Sequence, residues 1–405
     1  MRSRRGILVM ALAGVVTAGV VFAALVAGQT ATALPAAKET AAGPPPAWAY
    51  GFVLPVTEQP KAPAGQPQVR DDGSQRHVPG ATLSFTLTQV RNVYGPADWF
   101  PGDHPQMPDV VAHGKKPNVW ACGLCHYPNG KGRAENASVN GLSVEYFIHT
   151  MNDFKDGNRK SADPRKANTN LMIEFAKNVT ADEIKAAAEY FGSMAWTPWI
   201  RVVETKMAPK TKPSNGLFLI EGNEMEPLGN RIVETPVNGE ATEVLRDPHS
   251  GFTAYVPVGA VKKGEALVTK GGSKTIACGI CHGADLKGLG PVPGLAGRSP
   301  SYLMRQMFDM QQGFRKGTWT DLMKPVVANL TTEDMMNIVA YTASVPVENS
   351  VLSQMPSNAT RVEGIAAKDK DSAAPNSGDV VVSSARETCV ADGLLPRTIT
   401  AHHRV

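Results

Sequence analysis

The 405-residue sequence predicts a mainly α chain. Its plan is two small helical units in tandem, preceded by a β-containing N-terminal extension and separated by a β-rich insertion. Three observations carry this expectation. The stretch Cys122-Gly-Leu-Cys125-His126 recurs as Cys278-Gly-Ile-Cys281-His282. The residues that follow each copy recur in register, as internal repeats do. Each copy then closes on the start signal of a second helix. A hydrophobic fraction of 42% suffices for ordinary cores, and the length leaves room for two or three domains. The formal charge of +4 is too weak to suggest nucleic acid. With 31 Pro and 38 Gly, long irregular connections are expected.

Cys-x-x-Cys-His is the attachment sequence of a c-type haem. Its two thiols add to the two vinyl groups of the porphyrin, and the adjacent His lies under the iron as proximal ligand. Two copies predict two covalently bound haems: Cys122, Cys125 and His126 for the first, Cys278, Cys281 and His282 for the second. A zinc site would want its two Cys pairs roughly 12–20 residues apart. Here they lie 156 apart, from Cys122 to Cys278. The fifth cysteine, Cys389, stands alone in a polar tail, so no disulfide framework exists.

The chain opens Met-Arg-Ser-Arg-Arg, followed by an apolar run from Ile7 to Ala27. The arginines should stay cytoplasmic and send the remainder across the membrane. The run is closer to a spanning helix than to a signal-peptide core, although Ala31-Thr-Ala33 offers a cleavage site. No Cys follows it, which excludes a lipidated N-terminus. Export is expected either way, because c-type haem is attached outside the cytoplasm. An Ala/Thr/Pro-rich linker comes next, then a region in which Ala81 to Thr88 alternates like a strand. His104 and His113 in this region read as exposed loop histidines.

Beyond the first attachment sequence, an offset of 156 carries Lys131-Gly132 onto Lys287-Gly288, Gly141 onto Gly297 and Tyr146 onto Tyr302. It also carries Met151 onto Met307, Asp153 onto Asp309, Gly157 onto Gly313 and Arg159-Lys160 onto Arg315-Lys316. The second copy is then five residues shorter, and the match resumes with Leu171-Met172 on Leu322-Met323 at an offset of 151. In each copy a helix follows the motif, its apolar side marked in the first by residues 146, 147, 150/151 and 154. An irregular stretch with one Met comes next. Thr180 and Glu183 then form a capping box for a helix reaching Tyr190-Phe191. Thr331 or Thr332, with Asp334 or Glu333, starts its counterpart.

Residues 196–258 belong to neither copy. Ile200-Arg-Val-Val203, Leu217-Phe-Leu-Ile220 and Arg231-Ile-Val-Glu234 read as strands, with Trp and Ile side chains packing on the neighbouring units. The expected organisation is a signal or anchor helix over 1–30, then a linker and N-terminal extension over 31–113. The first haem unit takes 114–195, the insertion 196–258 and the second haem unit 259–346. The polar tail over 347–405 reads as disordered.

Each iron needs a sixth ligand. Met172 and Met323, in the irregular stretches, can reach over an open haem face, so the metal ligands are read as His126 with Met172 and His282 with Met323. Met151 and Met307 fall within helix patterns, where Met is more often core filler. His149 is a weaker alternative, since its counterpart Arg305 cannot ligate. Thioether ligation favours Fe(II) and raises the potential, and two filled axial positions favour electron transfer over oxygen activation.

Ala277-Cys-Gly-Ile-Cys-His-Gly283, Pro291-Val-Pro-Gly-Leu-Ala-Gly297, Tyr302-Leu and Leu322-Met323-Lys-Pro-Val resemble the tandem di-haem class I cytochromes c of the c4 type. The resemblance covers about residues 114–195 and 259–346. It implies a small helical fold around each haem, His and Met axial ligands, and nearly back-to-back units. Pro293 matches the Pro that supports the ligating His in that family, whereas the first copy has Ala137, and here the insertion separates the units. The expected function is an exported carrier of single electrons, on the periplasmic side of a bacterial inner membrane. It would be anchored by the N-terminal helix or freed by cleavage. Its donor would be a dehydrogenase or quinol-oxidising complex and its acceptor an oxidase or reductase, with no catalytic residues of its own. The Arg159/Lys160 and Arg315/Lys316 pairs would neutralise haem propionates, line a docking surface or simply be solvated loop charge. The alternatives are a di-haem enzyme, peroxidase-like or thiosulfate-oxidising, with one open haem site, or a fixed cytochrome subunit that docks through the insertion.

Overall fold

The computed structural model describes residues 43–57 and 69–347. The apolar run Ile7 to Ala27, the tail and Cys389 lie outside the described residues, as do the expectations attached to them. No helix among the described residues is long and apolar enough to cross a membrane.

The N-terminal extension carries two one-turn helices, α1 (Ala47–Tyr50) and α2 (Leu87–Val90). The strand expected over residues 81–88 does not form. Phe85 makes a single bridge to Arg76, and Leu87 already begins α2. Thr86 and Gln89 cap each other reciprocally, which turns the backbone helical despite the alternating side chains. Among the described residues this region therefore contains no strand.

The first repeat follows as α3 (Asp109–Ala112), α4 (Cys122–His126), α5 (Val144–Lys155), α6 (Ala167–Asn178) and α7 (Ala181–Gly192). Ser143 caps α5 through the Tyr146 amide, and the Thr180/Glu183 box starts α7. Residues 167–178 were expected to be irregular but form the three turns of α6. Its side chains Met172, Ile173 and Phe175 pack on Val179, Ile184 and Phe191, and such burial stabilises a helix that propensity alone would leave marginal.

The insertion contains β1 (Ile200–Glu204), β2 (Met207–Ser214), β3 (Leu217–Pro227), β4 (Val233–Pro236), α8 (Gly239–Glu243) and β5 (Phe252–Val256). β5 lies between a parallel β1 and an antiparallel β4, while β2 and β3 form a separate hairpin. The hairpin turns at Asn215-Gly216, both with positive φ (49° and 85°), the combination a tight two-residue turn requires. β4 begins two residues later than the alternation suggested.

The second repeat is α9 (Ala260–Lys270), α10 (Gly279–His282), the two-residue strands β6 (Gly288–Leu289) and β7 (Val292–Pro293), then α11 (Pro300–Gln311), α12 (Thr318–Asp321), α13 (Lys324–Val327) and α14 (Thr332–Ser344). Ser299, the repeat equivalent of Ser143, caps α11, and Thr331 with Asp334 boxes α14. Helix α9 was not anticipated. It crosses α14 so closely that a Cβ on Gly264 would collide with the Asn337 carbonyl oxygen, which only glycine avoids.

The insertion does not hold the repeats apart. Arg159 and Arg315 pair as an antiparallel bridge, with Lys160 N donating to Phe314 O and Lys316 N to Asn158 O, both at 2.8 Å. The side chains repeat the exchange. Arg159 donates to Tyr302 Oη at 3.0 Å and Arg315 to Tyr146 Oη at 2.9 Å. Because Arg159/Arg315 and Tyr146/Tyr302 are repeat-equivalent, the contact is a local two-fold. Trp196 of the insertion seals it by donating to Ala296 O at 2.9 Å, with the Arg298 guanidinium stacked on its ring.

Candidate haem centres

The first attachment sequence forms the single turn α4, which opens onto a solvent-connected cavity. Cys122, Cys125 and His126 line it. So do Val139, Leu142, Phe147 and Phe154, with Met172, Phe175, Ile184 and Phe191. An apolar slot with two thiols and an imidazole in its wall fits a covalently anchored haem. Both candidate methionines, Met151 and Met172, reach this cavity. Met151 is buried in the core of α5, whereas Met172 on α6 is half-buried at its edge. His149 is not part of the lining; its ring stacks on Trp319 and approaches Asp153.

The proximal histidines are held alike. His126 Nδ1 lies 2.8 Å from Ala137 O and His282 Nδ1 lies 2.7 Å from Pro293 O. A carbonyl oxygen can only accept, so Nδ1 is the protonated nitrogen and Nε2 keeps the lone pair that a metal needs. Burial also lowers the pKa of both rings and favours the neutral form. Ala137 and Pro293 are repeat equivalents, and each acts through its backbone carbonyl. The Ala-for-Pro difference therefore leaves the histidine's support intact.

The cysteines differ more. Burial pushes the Cys122 thiol up to about 12 and Cys278 to about 11, while Cys281 is exposed. The two thiol pairs lie in separate repeats, and no group of three or more His, Cys, Asp or Glu among the described residues could hold a metal ion. At the second centre, Met323 stands at the N-cap of α13, just after α12, and packs on the core that includes Met304, Met335 and Leu303.

Of the loop histidines, His113 is exposed at the end of α3. His104 is not: its side chain is 4% exposed and its Nε2 stands 3.2 Å from Asp98. Burial alone would lower its pKa, but the Asp98 contact outweighs that and raises it. Sequence reasoning also missed two cations in the first cavity, Lys166 and Arg305. Lys166 lies where the shorter second copy offers nothing to compare. Arg305 drew notice only as a residue unable to ligate iron.

No family model matches the chain. Cytochrome c-554(548) of Halomonas halodenitrificans is 40% identical over 75 residues, which are 18% of this chain and 90% of that protein. Cytochrome c4 of Pseudomonas aeruginosa is 41% identical over 75 residues, 18% of this chain and 36% of the relative. A protein of Stutzerimonas stutzeri described as a thiosulfate dehydrogenase electron acceptor is 33% identical over 87 residues, 20% of this chain and 39% of the relative. The matched segment thus spans little more than a third of these two longer relatives. The chain belongs to the c-type cytochromes. With two attachment sequences it is a di-haem member, carrying two covalently bound haems.

Proposed function

We propose that the chain is an exported electron carrier built from two tandem cytochrome c domains, residues 114–195 and 259–346. His126/Met172 and His282/Met323 are the axial pairs. The observation that carries this reading is the first cavity itself: attachment cysteines, a histidine with Nε2 free and a thioether share one apolar slot. Bound haem supplies reversible one-electron exchange at iron. The residues here do the rest. Cysteine thiols anchor the group, carbonyls fix the histidine tautomer, and thioethers fill the sixth positions. The aromatic and aliphatic walls keep out the water and small oxidants that an open iron would activate. The Arg159/Arg315 contact brings the domains together, which supports transfer between their centres.

Its partners are redox proteins, a donor dehydrogenase or quinol-oxidising complex and an acceptor oxidase or reductase. The likeness to a thiosulfate dehydrogenase electron acceptor supports a place beside such an enzyme rather than in its stead. Ile7 to Ala27 would tether the carrier to the periplasmic face of the inner membrane. Stopped-flow mixing tests the reading. The reduced protein should pass electrons rapidly to an oxidised redox protein, show no catalytic turnover of peroxide, and when oxidised show none of thiosulfate. Sustained turnover of either small molecule would make it an enzyme.

A further inference from the structure

The first cavity has a charged end that its apolar walls do not explain. Lys166, immediately before α6, lines the cavity and is 4% exposed, yet its Nζ has no hydrogen-bond partner. The turn of the β2–β3 hairpin closes over it, since a Cβ on Gly216 would lie 3.3 Å from Nζ. Arg305 reaches the same cavity from α11 of the second repeat. Its guanidinium donates to Ala49 O at 2.6 Å and Ala134 O at 2.9 Å, both neutral acceptors. Glu135 is the neighbouring carboxylate: Arg133 meets its Oε1 at 2.5 Å, its Oε2 has no hydrogen-bond partner, and neither oxygen bonds Lys166 Nζ. Burial, then repulsion from Arg305, hold the Lys166 pKa well below its ordinary value. A buried ammonium is costly unless it meets an anion.

We propose that Lys166 and Arg305 form the seat for the propionate carboxylates of the haem anchored at Cys122 and Cys125. This rests on the di-haem reading above. A group tethered through those cysteines has two carboxylates to place. Four cations line the cavity, but Arg159 is bonded to Tyr302 and Gln306 and Lys160 is exposed, which leaves Lys166 and Arg305 as the buried pair without a carboxylate bonded to either. The first centre is then completed by an arginine from the other repeat. Neither residue has a cationic counterpart in the repeat alignment: the equivalent of Arg305 is His149, and Lys166 falls in the stretch the second copy lacks. Lys166 is a positioning residue. Cancelling carboxylate charge beside the iron disfavours Fe(III), so this seat holds the first potential up.

Redox titration of the full-length di-haem protein tests the assignment, with Lys166→Met and Lys166→Arg compared over about pH 5.5–8, where an unpaired propionate would titrate. In Lys166→Met one of the two midpoint potentials should fall and become pH-dependent while the other stays put, and Lys166→Arg should restore the parent profile. If Lys166→Met fails to fold, Lys166→Gln replaces it with the same expectation. Parent-like potentials and pH profiles in a folded, fully loaded neutral variant would overturn the proposal. Haem quantification of the parent protein separates the two levels: fewer than two haems per chain would defeat the di-haem reading instead.

Discussion

Leu124 and Ile280 occupy the same place in the two attachment sequences, yet Leu124 is 3% exposed and Ile280 69%. The difference lies in what surrounds each centre. At the first, Arg246 from the insertion donates to Leu124 O at 2.9 Å, and Met107 of the extension, with Val111 O of α3, crowds Gly123. At the second, an eleven-residue helix, α9, replaces the single turn of α3, and among the described residues nothing comparable covers α10. Pro105 and Pro108 stop α3 from extending backwards, since proline breaks a helix anywhere but its first turn. One attachment chemistry therefore sits in two settings. The first centre is walled by segments outside its own repeat, and the second presents its attachment edge to solvent.

The axial ligands give the sharpest break. Met172→Ala should lower the first potential by on the order of a few hundred mV and produce a high-spin spectrum. Met151→Leu should leave both spectrum and potential near the parent values. The reverse result would assign the thioether to α5. Buried and exposed equivalents come next. Leu124→Ala should destabilise the protein by about 3 kcal/mol in chemical denaturation, through a lost contact plus a cavity. Ile280→Ala should change stability by less than about 0.5 kcal/mol. Equal costs would mean that the second edge is covered in solution.

Acid–base behaviour separates another equivalent pair. Asp309 lines the first cavity, accepts from Tyr50 Oη at 2.7 Å and Ala162 N at 2.8 Å, and is pushed up from 3.8 to about 6, chiefly by burial. The native state thus holds a proton that the unfolded chain releases earlier. Stability should fall as pH rises from about 4 to about 7, by roughly 2–3 kcal/mol from this group. Asp309→Asn, which can still accept both hydrogen bonds, should flatten that slope. Asp153 is also raised by burial, but His149, Arg315 and Arg159 beside it favour its charged form, so Asp153→Asn should alter the slope less.

Much of this organisation was legible in the sequence because it rests on local signals. The attachment sequences and the Thr180/Glu183 box depend on residues close in the chain, and the internal offset is a plain recurrence of sequence. The features that escaped depend on tertiary contact. Alternation over residues 81–88 suggested a strand, but one reciprocal cap at Thr86 outweighed it. The stretch around Met172 lacked strong helix signals, yet packing made it α6. Lys166 and Arg305 share a cavity across two repeats, which no sequence spacing reveals. The Arg159/Tyr302 and Arg315/Tyr146 exchange was present in the repeat alignment. Only the fold shows that equivalent residues bind each other rather than their own unit.

The proposed axial pairs would close both irons with protein ligands. Absorption spectra of the di-haem protein, oxidised and reduced, with and without carbon monoxide, decide whether they do. Two low-spin haems, the weak thioether-to-iron charge-transfer band in the oxidised state, and no carbon monoxide adduct are expected. A high-spin component, or ready carbon monoxide binding at one haem, would refute the closure and place an open iron site in the molecule.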